Sequence, residues 1–380
     1  MSASSLNRDP RIRAALDQAI ELGELGISVA AYHYGRLIVD AVAGVADRET
    51  QRPADAQTLW PVFSVTKGVT ALAVHIQAER GFLDVTAPIS RYWPEFAANG
   101  KESITIEEAL SHRAGIPQMP EGVTAEHMAD WKWMVDRVAQ HTPLFRPGID
   151  CAYHVLVWGW IVGEVVCRTD PAKRPFDRFV YEEICQPLCI TDFHLGVPDR
   201  SLSRIAKLYG GNEFPIVDNH NISPDPVFPG STVHNTKVIQ QAVDPGAGAI
   251  TTAGAVARIF ALIANRGELD GVRLLSPEGV ASLTKPRPAA QDKVLPIPVH
   301  FSLSGYWLGG EAGVSDPLVG DHRDVIYSPG AGGSVAWADT RDGLAVAICH
   351  NNMDSVAVLE PERTFAPVVQ AIRDITSESR

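Results

Sequence analysis

The sequence predicts an α/β (α+β) protein in which both ends of the chain build one sheet-containing domain and a helical lobe is inserted between them. Three observations carry this. Residues 26–46, "GISVAAYHYGRLIVDAVAGVA", are two β-rich runs around a Tyr-Gly turn and read as a hairpin. From about 84 to 245 the text is mostly helical and loop-like, with breaks at Pro88, Pro94, Pro143, Pro147 and Pro171. The C-terminal third returns to strands, at 305–310, 333–339 and 343–351, the last two joined by "TRDG" as a second hairpin.

The elements follow in order. Ile12, Ala15, Leu16, Ala19 and Ile20 repeat at helical spacing behind a polar leader that lacks the apolar core of an export signal, so a cytoplasmic location is expected. Residues 64–80 form an amphipathic helix stopped by Gly81, which places Ser64 at a helix N-terminus. Val155–Val166 is too short to span a membrane and reads as a buried helix. Residues 214–231, rich in Pro and Asn without periodicity, read as a long loop and a candidate lid. Helices are expected from Thr252 and from Ser276, the latter with Pro277 at its first position and Glu278 in its first turn, and a last helix within 360–375. The expected division is 1–83 with 246–380 as the α/β domain, and 84–245 as the helical lobe.

Composition excludes several function classes. The 380 residues are 45% hydrophobic and 21% charged, an ordinary globular balance. A net charge of -12 and no basic run argue against nucleic acid and against anionic membrane surfaces. Five cysteines suit a reducing compartment, and Cys185 and Cys189, with no second Cys/His pair nearby, read as core thiols and not as metal ligands. No metal or cofactor is expected.

Two Ser-x-x-Lys stretches raise the question of nucleophilic chemistry: "SVTKG" at 64–68 and "SLTKP" at 282–286. A serine nucleophile benefits from the free N–H groups of a helix N-terminus, with the lysine one turn on and on the same face. Ser64 and Lys67 meet both demands. Ser282 and Lys285 close a helix before Pro286, where the chain must leave the helical path. The bland alternative for Ser64 and Lys67 is a capping serine with a solvent-exposed lysine.

Further stretches bear on this. Tyr153 follows a Pro-Gly turn and precedes an apolar helix, where a phenol can enter a cleft; for it to act as a base a cation must stand nearby, and Lys67 is the candidate. "SPGAGGS" at 328–334 sets small residues at the entrance to a strand, which suits a backbone N–H presented to a ligand. His112 reads as a structural residue bonding a loop, His154 as a cleft-lining candidate, and Trp307, with Tyr306, Trp158 and Trp160, as aromatic wall. The Gly-rich "GAGAITTAG" lacks the context of a dinucleotide site, and neither a Gly-x-Ser-x-Gly nor a His-Glu-x-x-His motif occurs.

In this order and spacing, "SVTKG", Tyr153 and "SPGAGGS", with "GFLDVTAPISRYWPEF", "TIEEALSHRAGIP" and "NRGELDGVRLLSPEGVASL", resemble the penicillin-recognising serine hydrolases over residues 10–370. That superfamily covers class C β-lactamases, DD-peptidases, and family VIII carboxylesterases and acyltransferases. The resemblance implies a β-lactamase/DD-peptidase-like fold, an antiparallel sheet flanked by helices plus an all-α lobe, with the site in the cleft between. It implies Ser64 as nucleophile, Lys67 as general base, Tyr153 as partner in proton transfer, and the N–H groups of Ser64 and Ala331 as oxyanion hole. His154, Ser328, Gly330 and Trp307 are the expected substrate contacts. Two departures matter: His154-Val155 follows Tyr153 where penicillin-active members carry Tyr-x-Asn, and Ser328-Pro329-Gly330 replaces their Lys-Thr-Gly or His-Thr-Gly. The resemblance is therefore nearest the esterase branch. A serine carboxylesterase acting on a small-molecule ester or acyl donor is expected, with an acyltransferase as alternative and a β-lactamase, DD-peptidase or non-catalytic binding protein behind them; a homo-oligomer stays open.

Overall fold

A computed structural model describes residues 9–213, 216–217, 220–354 and 364–378. The polar leader, Phe214, Pro215, Asp218 and Asn219 of the expected lid, and the Glu360–Arg363 start of the expected last helix lie outside the described residues.

The first helix, α1 (Pro10–Glu21), begins where Asp9 accepts the Arg11 N–H at 2.9 Å and proline fills the first position. The hairpin follows as β1 (Gly26–His33) and β2 (Arg36–Asp47), extended by the short β3 (Arg52–Pro53). Helix α2 (Val65–Glu79) carries the Ser-x-x-Lys pair, and α3 (Trp158–Thr169) is the buried apolar helix. The second half supplies α4 (Ala253–Ala264), β4 (Trp307–Leu308), β5 (Val325–Pro329), β6 (Val335–Asp339), β7 (Leu344–His350) and α5 (Ala366–Ser377).

These strands form one antiparallel seven-stranded sheet in the order β4-β5-β6-β7-β1-β2-β3. The N-terminal hairpin joins the C-terminal strands through β1 and β7, with Ile27 opposite His350 and His33 opposite Leu344. All eight residues of β1 are buried, and since they alternate between faces, both faces of the sheet are covered. Helix α4 packs on β7, β1 and β6; α1 packs on β1, β2 and α5.

Some expectations need correction. Strand β5 gave no sequence signal, because its apolar core is only Val325-Ile326-Tyr327 between Asp324 and Ser-Pro. The inserted segment is not all-α: Phe193–His194 is a strand that pairs with Ile250–Thr251, with the Thr251 hydroxyl donating to the Asp192 carbonyl at 2.9 Å. All five cysteines are unpaired, but Cys189 is exposed and not a core thiol, since it occupies a left-handed turn (φ 55°) after Leu188. Among the described residues, no helix is long and apolar enough to cross a membrane.

Candidate active site

The nucleophile candidate is positioned by a small sheet. Trp60–Pro61 pairs with Ile250–Thr251, and Val62 N–H continues to the Ala249 carbonyl at 3.0 Å. Phe63 then adopts a left-handed conformation (φ 47°), which costs a non-glycine residue about 1–2 kcal/mol. Thr66 holds that turn: its N–H donates to the Phe63 carbonyl at 2.9 Å, and its hydroxyl donates to the same oxygen while accepting the Ala249 N–H. Local strain held by several neighbours is typical of functional positions. Ser64 thus stands at the start of α2, and its side chain makes no capping bond.

The capping alternative fails on both residues. Lys67 is 3% exposed, and its Nζ lies 2.9 Å from the Ser64 Oγ, 2.8 Å from the Val155 carbonyl and 3.0 Å from that of Gly246. Two carbonyls accept two N–H groups, so a neutral amine in this position directs its lone pair at the Ser64 hydroxyl. Burial favours that neutral form, pushing Lys67 down to about 7, with the charge of Asp244 opposing it. By contrast, Ser282 donates to the Gly279 carbonyl at 2.6 Å, and Lys285 is exposed beyond its helix.

Tyr153 is 5% exposed, its phenol is influenced by the Ser64 side chain, and its ring centre is 5.3 Å from Lys67 Nζ. Burial raises the phenol well above its usual range and outweighs the lowering influence of Ser64, so Tyr153 is a neutral acid here and not a phenolate held by a lysine cation. Its backbone is pinned by Asp292, whose two carboxylate oxygens accept the Tyr153 N–H at 3.1 and 3.0 Å. Behind the ring stand His112 at 4.5 Å, Trp307 at 6.0 Å and the parallel ring of Phe301 at 6.1 Å. His112 bonds the loop as expected, accepting the His154 N–H at 3.1 Å. His154 is a correction: it is fully buried, accepts the Ile116 N–H at 3.2 Å through Nε2, and sets Nδ1 against the Ala152 carbonyl. Burial depresses it to about 3, so it fixes the loop and does not line the cleft.

The 328–334 stretch closes the site from the sheet. The Ser328 hydroxyl donates to the Ser64 carbonyl at 2.8 Å, so its proton packs strand β5 against the backbone of the nucleophile candidate. Gly330 donates to the Ser334 carbonyl at 2.7 Å, and a Cβ there would lie 2.3 Å from the Val62 oxygen, so Gly330 too is a packing residue. Ala331 packs on the cluster of Phe63, Leu208 and Met353. Among the described residues, neither the Ser64 nor the Ala331 N–H has a protein acceptor.

Sequence reasoning missed Asp244, Asp292 and the carbonyls of Val155 and Gly246. Only Asp244 had a visible sign, an Asp-Pro-Gly turn just ahead of a strand. A cavity of about 400 Å³ lies elsewhere, between α5 and the β6–β7 turn, and none of Ser64, Lys67 or Tyr153 lines it. There His322, Asp339 and Asp342 bring possible metal-ligating atoms within 4.8 Å, but Asp339 already bonds His322 Nε2 and the N–H groups of Arg341 and Asp342.

The similarity of the chain to known proteins agrees with this geometry. Residues 12–368 match the Beta-lactamase family. The chain is 33% identical over 374 residues to Esterase/beta-lactamase LipL of Mycobacterium tuberculosis, covering 93% of this chain and 83% of that protein. It is 38% identical over 260 residues to Esterase EstB of Burkholderia gladioli, covering 58% and 64%. A crystal structure of a family VIII carboxylesterase superposes with a TM-score of 0.86 at 30% identity, covering 97% of this chain and 98% of the other. With a matching family model over residues 12–368 and a seven-stranded antiparallel sheet flanked by helices, the chain belongs to the Beta-lactamase family.

Proposed function

We propose that the protein is a serine ester hydrolase that works through an acyl-enzyme on Ser64. The observation that carries the reading is the buried amine of Lys67, 2.9 Å from the Ser64 Oγ and fixed by two carbonyls. Neutral Lys67 takes the Ser64 proton as Oγ attacks the ester carbonyl carbon. Charge on the carbonyl oxygen is received by the Ser64 and Ala331 N–H groups; losing one such donor typically costs about 3 kcal/mol of barrier. The proton passes through Tyr153, whose ring lies 5.3 Å from the Lys67 amine, to the alkoxide as the C–O bond breaks. Water, deprotonated by the same pair, then releases the acid and restores Ser64.

The relatives named esterases and carboxylesterase support this choice of bond. So does position 328: a serine there provides no cation for the carboxylate of a β-lactam. Losing that charge-assisted contact is expected to leave nitrocefin turnover roughly a hundredfold or more below that of a p-nitrophenyl ester, measured as kcat/KM. Five unpaired cysteines favour a reducing compartment and hence a cytoplasmic, small-molecule ester as substrate.

The test is intact-mass spectrometry after brief exposure to p-nitrophenyl acetate or butyrate. An acyl adduct present in the protein and absent in Ser64→Ala is expected, with acid as product. No adduct and no p-nitrophenol from folded protein would overturn the reading. Acyl groups passing mainly to an added alcohol or amine would make the enzyme a transferase on the same residues.

A further inference from the structure

Asp244 is a buried carboxylate, 4% exposed, that the chemistry above does not use. It opens a tight turn in which its Oδ1 accepts the N–H groups of Gly246 at 2.7 Å and Ala247 at 3.1 Å, while Gly248 N–H donates to its carbonyl at 3.0 Å. The turn is clamped from outside. Thr70 donates to the Pro245 carbonyl at 2.7 Å, and α3 lies so close that a Cβ on Gly159 would be 2.2 Å from the Gly246 nitrogen. The product of this clamping is the direction of one group, the Gly246 carbonyl that holds Lys67.

The charge on Asp244 bears on the same amine. The other titratable groups around Lys67 are neutral: burial depresses His112 and His154 and raises Tyr153. On its other side Asp244 lines a small cavity with Phe63, Ala247 and His234, with about 20 Å³ of room for water, enough for one molecule. His234 is 6% exposed, neither ring nitrogen has a hydrogen-bond partner among the described residues, and burial holds it at about 4, so it is neutral there.

We propose that Asp244 is a positioning residue for Lys67, acting in two ways: its oxygen fixes the turn that aims the Gly246 carbonyl, and its charge sets how readily the amine gives up its proton. The inference rests on the acyl-enzyme reading only for its effect on rate; the effect on Lys67 itself is independent of turnover.

Asp244→Asn separates the two roles, because the amide oxygen still accepts the Gly246 and Ala247 N–H groups while the charge is gone. Without the anion the ammonium loses a stabilising partner, so the Lys67 midpoint, followed by 15N NMR of Nζ in lysine-labelled protein, is expected to fall by about one unit or more. The acid limb of the Ser64 acylation rate is expected to move with it, with the rate near pH 9 kept within a fewfold. Asp244→Ala, which removes the acceptor as well, is expected to lose roughly tenfold or more in acylation at every pH. In the unaltered protein the Asp244 carboxyl carbon is expected to show a second inflection at the Lys67 midpoint, a readout that survives if Asp244→Asn does not fold. An unmoved Lys67 midpoint in folded Asp244→Asn, or a carboxyl carbon blind to Lys67, overturns the proposal. Absence of any Ser64 acyl adduct overturns the esterase reading and leaves the NMR result to decide this one.

Discussion

The hydroxyl of Ser328 donates to the main-chain carbonyl of Ser64 at 2.8 Å, tying strand β5 to the start of α2 across 264 residues of sequence. This bond holds the nucleophile's peptide from the sheet side while Thr66 holds Phe63 from the helix side. Ser328→Ala removes the donor and leaves a buried carbonyl short of one partner. A loss of about 1 kcal/mol in stability and a three- to tenfold fall in acylation rate are expected. Denaturant unfolding and single-turnover kinetics check the two together, and a fall in stability with the rate unchanged would show that the bond serves only the fold.

In the proposed reaction Lys67 must be neutral to accept the Ser64 proton, and burial puts its midpoint at about 7. The neutral fraction rises with pH through that midpoint, so acylation is expected to fall about tenfold per unit below pH 7 and to reach a plateau above it. Tyr153 titrates well above its usual range, so no alkaline limb is expected from loss of its proton. A bell-shaped acylation profile with a descending limb near pH 9 would contradict the neutral-phenol assignment.

What the sequence showed, and what it hid, divides by the range of the interaction. The Ser64–Lys67 pair is local: one helical turn and the helix start can be read from five residues, and Pro286 alone was enough to discard the Ser282–Lys285 copy. Both hairpins were legible because their apolar runs flank short turns. Asp292 was not, since it reaches the Tyr153 backbone across 139 residues; the Asp244 turn is local, but the Lys67 amine that its Gly246 carbonyl holds is 179 residues away. His154 misled for the same reason: it follows Tyr153 in the sequence, but the Ile116 N–H and the Ala152 carbonyl claim its ring. A side chain's type can be read from a sequence, but the partner that satisfies its polar atoms cannot.

Asp292 gathers the N–H groups of Tyr153, Val294 and Leu295 on one buried carboxylate. Asp292→Ala strands all three, and a loss of about 2–4 kcal/mol in stability is expected, with acylation falling because Tyr153 is no longer held. Asp292→Asn keeps one acceptor oxygen and is expected to recover most of the stability. If the alanine variant keeps both its unfolding midpoint and its acylation rate, the carboxylate does not position the phenol.

Gly330 sits between the Val62 carbonyl and the segment that carries Ala331. A methyl group added there would lie 2.3 Å from the Val62 oxygen, and both neighbours are backbone, so one strand must shift. The shift is transmitted to the adjacent Ala331 N–H and to the Ser64 end of the same connection, moving the two donors proposed to receive the oxyanion. Gly330→Ala is therefore expected to cost roughly a hundredfold in the acylation step, comparable with losing one oxyanion donor, while KM for a p-nitrophenyl ester changes little. Pre-steady-state kinetics with p-nitrophenyl acetate measure the step directly. An acylation rate within twofold of the unaltered protein, in a folded variant, would remove Ala331 N–H from the oxyanion site.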